Sequence, residues 1–227
     1  MVFTKTCELT DYNRREIMRY AGVSGSEHGL DGELDRCLAL CEGVFRGAVC
    51  YSRTAISVGD NCVETPFARL ESRALAKNLS GCDEAVFFAA TVGAGIDRLI
   101  RRYSAADITT AVWLQAIGAE RVESLCRVFC GELDRQLSLE KRYTRPRFSP
   151  GYGDLPLEAQ RGLTEFLDCR RKIGVTLNES LLMTPGKSVT AIVGVGREKC
   201  TGRGGGCAFC DKTDCAYADR DKNLRRD

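Results

Sequence analysis

Two short stretches carry side chains whose types and spacing suit chemistry. The first is RPRFSPGYGDLP, residues 145–156, which holds three of the chain's five prolines with two arginines, two glycines and a tyrosine. Pro146 and Pro150 restrict φ, so this loop is costly to rearrange. Gly151 lets the backbone approach a ligand closely. Arg147 offers a forked guanidinium for a carboxylate or phosphate, and Tyr152 adds an aromatic face with a hydroxyl. Such a set suits a zwitterionic or nucleoside-like ligand. Composition alone equally allows a rigid connector with Tyr152 packed on the core.

The second stretch is CTGRGGGCAFCDKTDC, with thiols at Cys200, Cys207, Cys210 and Cys215. Four thiols around one C-x-x-C can close a tetrahedral metal site. The glycines let the chain wrap closely and present backbone N–H groups to sulfur, as iron–sulfur sites do. The spacing is neither a paired zinc knuckle nor a ferredoxin run. Zinc, a [4Fe–4S] cluster and a metal-free reduced tail therefore all stand as readings. The chain has 13 cysteines and opens on no secretory leader, which favours metal-bound or reduced thiols over a disulfide framework and a cytoplasmic location. The single histidine, His28, sits in a polar Ser-Glu-His-Gly run and reads as an exposed loop residue, which argues against most hydrolase and His-ligated metal chemistries.

Bulk composition removes other classes. A net charge of +2 gives no broad field for nucleic acid or an anionic membrane. From Arg197 onward eight basic residues face six acidic ones, so the tail reads as solvated and not as a nucleic-acid arm. No apolar run approaches the roughly 18 residues of a membrane span.

The positioning elements follow from periodicity. An N-cap at Thr10 or Asp11 predicts a short helix to Tyr20, closed by Gly22. A helix opens near Gly29 to Asp31, with Leu30, Leu34, Cys37, Leu38 and Cys41 at helical spacing. Residues 44–58 read as strand, and 67–79 as helix. Residues 84–103 predict a buried strand, a glycine turn and a helix. Gly93 and Gly95 there begin a dinucleotide-like fingerprint that fails at its third position, Arg98. From Asp107 one long amphipathic helix buries Ala111, Leu114, Ile117, Leu125, Val128 and Phe129. Cys126 and Cys130 lie four apart on it and read as packing residues. Residues 157–175 predict a helix whose last turn carries Arg170, Arg171 and Lys172, cations suited to the helix dipole. TLNESLLMTP and KSVTAIVGVG read as two strands joined around Pro185 and Gly186. The class is α+β, with a boundary after Gly196 that divides a 1–196 domain from a cysteine-rich tail, 197–227.

The stretch from this loop to the strand at Ser188 resembles the activation domain of cobalamin-dependent methionine synthase. The matching positions are Arg147, Pro150, Gly151, Tyr152, Pro156, Ile173, Gly174, Leu177, Glu179, Ser180, Met183, Pro185 and Ser188. Spacing is kept over roughly fifty residues. The sequence departs from the family at Leu157 and Glu158, where the family has an aspartate and a histidine. The resemblance implies a mainly antiparallel sheet with flanking helices, and a stand-alone activation subunit. It implies S-adenosylmethionine (SAM) binding, with Arg147 on the ligand carboxylate and Ser149, Pro150, Gly151 and Tyr152 lining the site. Cobalamin would reside only on a partner methionine synthase or other corrinoid protein, with flavodoxin or ferredoxin as electron donor. The other reading is an iron–sulfur or zinc-containing reductive activator or docking module for a corrinoid protein, without SAM.

Overall fold

The computed structural model describes residues 1–23 and 31–199. His28 and the four tail cysteines lie outside them. Strand β1 (Phe3–Thr6) leads into α1 (Arg14–Tyr20), and α2 (Asp31–Leu40) comes next. The cap of α1 is Asn13, not Thr10 or Asp11: Asn13 Oδ1 accepts from Glu16 N at 3.2 Å. The carbonyls of Thr10 and Asp11 instead accept from the Arg121 guanidinium. Gly22 closes α1 with φ +76°, as predicted.

β2 (Ala48–Ala55) and β3 (Ser57–Val58) lie within the predicted strand region, and β4 (Cys62–Glu64) and β5 (Arg69–Glu71) complete a small three-stranded sheet. The helix expected from position 67 starts later, as α3 (Arg73–Asn78), because Arg69–Glu71 pair with β4. Ser72 then caps α3, its Oγ accepting from Leu75 N at 3.0 Å. β6 (Cys82–Thr91), α4 (Gly95–Ala106) and α5 (Ile108–Leu139) realise the expected strand, turn and two helices. Gly95 serves close packing: a Cβ there would fall 2.3 Å from Val44 O. Asp107 caps α5, accepting from Thr110 N at 3.0 Å.

β7 (Tyr143–Thr144) opens the arginine-rich loop. The helix predicted over 157–175 is two helices, α6 (Ala159–Phe166) and α7 (Cys169–Ile173). Asp168 adopts φ +50° between them and breaks the run. TLNESLLMTP is a small hairpin, β8 (Thr176–Leu177) and β9 (Met183–Thr184), turned where Asn178 Oδ1 accepts from Leu182 N at 2.9 Å. β10 (Ser188–Gly196) is the last strand.

The main sheet has the order β1-β2-β6-β10-β7 and every pairing is antiparallel. Side chains alternate across it. Val86, Phe88 and Ala90 of β6 join a core with Ile17, Leu34, Leu114 and Leu125, under α1, α2, α4 and α5. Ala85, Phe87 and Ala89 join a second core with Leu75, Leu163 and Leu167, under α3 and α6. Both faces are covered, which explains why β6 reads as a continuous apolar run. Cys7, Cys37, Cys41, Cys126 and Cys169 are buried free thiols, so reduced packing cysteines account for much of the cysteine count. Among the described residues no helix is long and apolar enough to cross a membrane.

Candidate functional site

The loop after β7 runs along the free edge of β10. Arg145 N donates to Gly194 O at 2.8 Å, and Phe148 and Ile192 exchange both backbone bonds at 2.8 and 2.7 Å. The segment is thus an irregular continuation of the sheet. Beyond it Ser149 O accepts from Tyr152 N at 3.0 Å, with Pro150 and Gly151 between them. Gly151 has φ +87°, and Pro then Gly at the two central positions of such a turn is the type II pattern. The expected role of Gly151 is a close approach to a ligand, but its backbone is a second and sufficient reason for glycine. An added Cβ would meet only Leu157 Cδ1, at 3.4 Å. Gly151→Ala should therefore cost about 1–2 kcal/mol through left-handed backbone strain, visible as a lower urea midpoint. An unchanged midpoint would show that the turn tolerates a side chain.

Asp154 anchors the far end of the loop. It accepts from Ser72 Oγ, from Arg73 N at 2.9 Å and from Ala74 N at 3.1 Å, and so covers the N-terminus of α3. The Ser72 hydroxyl first, and then these N–H groups, hold its carboxyl below the usual carboxylate range. A depressed folded pKa contributes stability that is complete above the unfolded value of about 3.9 and is lost as pH falls through the folded one. Asp154→Ala should cost about 1 kcal/mol at pH 7, as loss of a helix cap does. That deficit should shrink as pH drops below about 4. A deficit independent of pH would remove the carboxylate from the account.

Arg147 points from this loop toward α5, and its Nη2 pairs with Glu123. Its Nη1 is buried and has no hydrogen-bond partner among the described residues. Burial opposes the Arg147 charge, but the paired Glu123 carboxylate favours it, and its pKa stands raised. Beside it lies a groove of about 390 Å³ between α5 and the β10 edge. Cys126 and Cys130 form the helix wall, Thr144, Pro146 and Arg147 the loop wall, and Val193 comes from β10. Burial pushes the Cys126 thiol up to about 12 and the Cys130 thiol up to about 11. Both are protonated at neutral pH, consistent with their reading as packing residues.

The predicted set is therefore close in space but not convergent. Arg147 faces α5, Ser149 and Gly151 are engaged in turn hydrogen bonds, and Pro150 is buried. Tyr152 is 47% exposed, with its ring edge-on to Phe148 at 6.0 Å. Sequence reading missed Glu123. Its one signal is position: an acid three and seven residues before Cys126 and Cys130, on the stripe that faces the loop.

Comparison with known proteins fixes the lineage. The family profile described as "Vitamin B12 dependent methionine synthase, activation domain" matches residues 74–200, more than half of the chain. The chain belongs to this family. The matched region spans α3 to β10, so it includes the sheet centre, α5 and the Arg147 loop of the activation domain. A solved structure, "Crystal Structure of the MetH Reactivation Domain bound to AdoHcy", superposes with a TM-score of 0.61 at 16% sequence identity. The alignment covers 86% of this chain and 78% of that one. Likeness at that identity establishes a shared fold, and with it the expected α+β class and antiparallel sheet. No curated protein matches the chain.

Proposed function

We propose that this activation-domain chain acts as a subunit that presents SAM to a cobalamin-dependent methionine synthase or related corrinoid protein. The reading rests on family membership and on one observation. Arg147 carries a charged guanidinium whose Nη1 donors have no partner among the described residues, on a loop braced against β10 beside an open groove. A buried donor without a partner is costly, and a ligand carboxylate would satisfy it with a charge-assisted bond. The backbone of Ser149 to Gly151 and the exposed ring of Tyr152 would then border the adenosyl part. That the reactivation domain named above was crystallised with AdoHcy supports the same ligand class. In the proposed role SAM supplies the methyl group and a flavodoxin- or ferredoxin-like donor supplies one electron. Together they return the partner's cobalt from the cob(II) state to methylcobalamin.

The cysteine tail belongs to the same proposal as a metal centre held by Cys200, Cys207, Cys210 and Cys215, either zinc or [4Fe–4S]. Support comes from the four thiols in a glycine-rich run. Among the described residues no group of three metal-ligating side chains comes together.

Isothermal titration of the full-length chain with SAM tests the ligand reading, with heat expected at sub-millimolar concentrations. Absence of binding at millimolar SAM would leave the metal-dependent activator as the reading. Metal analysis of anaerobically purified protein tests the tail, where about one zinc or four irons per chain is expected.

A further inference from the structure

Two thiols from distant parts of the chain meet in the second core. Cys50 lies on β2 and Cys169 opens α7, 119 positions further on. Their sulfurs are 3.6 Å apart, within hydrogen-bonding contact, and both residues are covered, at 0% and 1% exposure. The pair is not symmetric. The hydrogen bond from Cys169 first, and then the Ala89 backbone, hold the Cys50 thiol below its ordinary value against the opposing effect of burial, and Lys172 of α7 acts in the same direction. The same contact pushes the Cys169 thiol up. One sulfur is thus the better nucleophile, and its neighbour keeps the proton.

The mounting of Cys169 lets it move. Helix α7 has five residues and stands between two left-handed ones, Asp168 at φ +50° and Gly174 at φ +70°. Its cations Arg170, Arg171 and Lys172 are exposed. A segment this short opens locally at low cost, which admits a small oxidant to sulfurs that the closed fold covers. Separation along the chain also matters. Cys37 with Cys41, and Cys126 with Cys130, lie only four positions apart. A bond within either would restrain little, because the restraint from a cross-link grows with the loop it closes.

We propose that Cys50 and Cys169 are a peroxide-responsive dithiol that closes into a reversible disulfide and clamps α7 to the main sheet. The Cys50 thiolate attacks one peroxide oxygen, the O–O bond takes the electron pair and breaks, and hydroxide leaves. Cys50 is then a sulfenic acid. The Cys169 sulfur displaces its oxygen as the S–S bond forms, and the Cys169 proton leaves with that oxygen as water. In sum two thiols and one hydrogen peroxide give one disulfide and two waters. An external dithiol returns the pair to thiols by exchange. Both cysteines belong to the core under α3 and α6, on the sheet face away from α5, so the clamp does not depend on what Arg147 binds.

The test treats the folded full-length chain with hydrogen peroxide, removes the excess with catalase and blocks remaining thiols with N-ethylmaleimide. Trypsin then releases residues 47–53 and 162–170, each of which contains a single cysteine. The expected product is these two peptides joined within one chain, separated again when a dithiol is added before the blocking step. Oxidation should also raise the urea midpoint of the wild type by about 1 M, and leave that of Cys50→Ala unmoved. Recovery of the two peptides with both cysteines blocked by maleimide or carried to sulfinic acid would overturn the proposal. So would joining of either peptide chiefly to other cysteines, joining only between two chains, or a midpoint that rises equally in Cys50→Ala. If that variant folds poorly, peptide mapping of the wild type decides, together with its midpoint before and after the dithiol: a joined product without a reversible rise leaves no clamp.

Discussion

Arg147→Ala should weaken SAM binding by roughly 10- to 150-fold, the equivalent of the ~1.5–3 kcal/mol that a hydrogen bond to a charged group contributes. The size of the effect reflects where the guanidinium sits. It is held at a groove wall with Nη2 on Glu123 and Nη1 unpartnered, so removing it deletes donors that nothing nearby replaces. Arg147→Lys should recover only part of the loss, because an ammonium supplies a point charge and not a fork of donors. Glu123 is left without its partner in the alanine variant, so some thermal stability should go as well. For that reason the titration is normalised to folded protein, with Glu123→Gln as the stability control. Equal dissociation constants for wild type and Arg147→Ala would move the ligand, if there is one, away from this loop.

Glu120→Ala should destabilise the chain by about 3–5 kcal/mol, the cost of leaving a buried charge without its partner. Glu120 and Arg121 are adjacent on α5, and both are essentially inaccessible, at 0% and 2%. Arg121 Nε donates to Glu120 at 2.6 Å. Its other nitrogens donate to the carbonyls of Thr10 at 2.6 Å and Asp11 at 3.0 Å, and its guanidinium lies 4.1 Å from the centre of the Tyr12 ring. The pair thus pins the irregular segment between β1 and α1 onto the long helix. Replacing Glu120 strands the Arg121 charge, whereas replacing Arg127, its 3.3 Å outer partner, should cost under about 1 kcal/mol because that side chain is half exposed. Urea unfolding of the two variants checks the contrast. Comparable small losses from both would mean that Arg121 is satisfied by the carbonyls and the ring alone.

Some of this protein was legible in local sequence. The 3.6-residue period after Asp107 defined α5, since it acts within one or two turns of the chain. The apolar run of β6 and the closing Gly22 were equally readable, because each depends on a residue's own φ or on its nearest neighbours. Family membership was visible in the spacing from Arg147 to Ser188 for a related reason: the loop and hairpin residues there have fixed backbone requirements.

Tertiary structure decided the rest. Ser72 ends β5 and starts α3 with help from Asp154, 82 positions away, so no local window could place that boundary. Asp168 interrupts what periodicity reads as one helix, because a left-handed residue lets Cys169 turn inward to meet Cys50, their sulfurs 3.6 Å apart. Glu120 and Arg121 are of types seldom fully buried unless paired, and only the return of residues 10–12 over α5 covers them. Arg147 was recognisable as a candidate, but Glu123 was not. Which carboxylate a guanidinium meets depends on how a loop lies against a helix, and that is fixed by the β10 edge to which residues 145–148 are bonded. Hydrogen bonds and charges act through space over a few ångströms, so their partners emerge only when distant segments have been packed together.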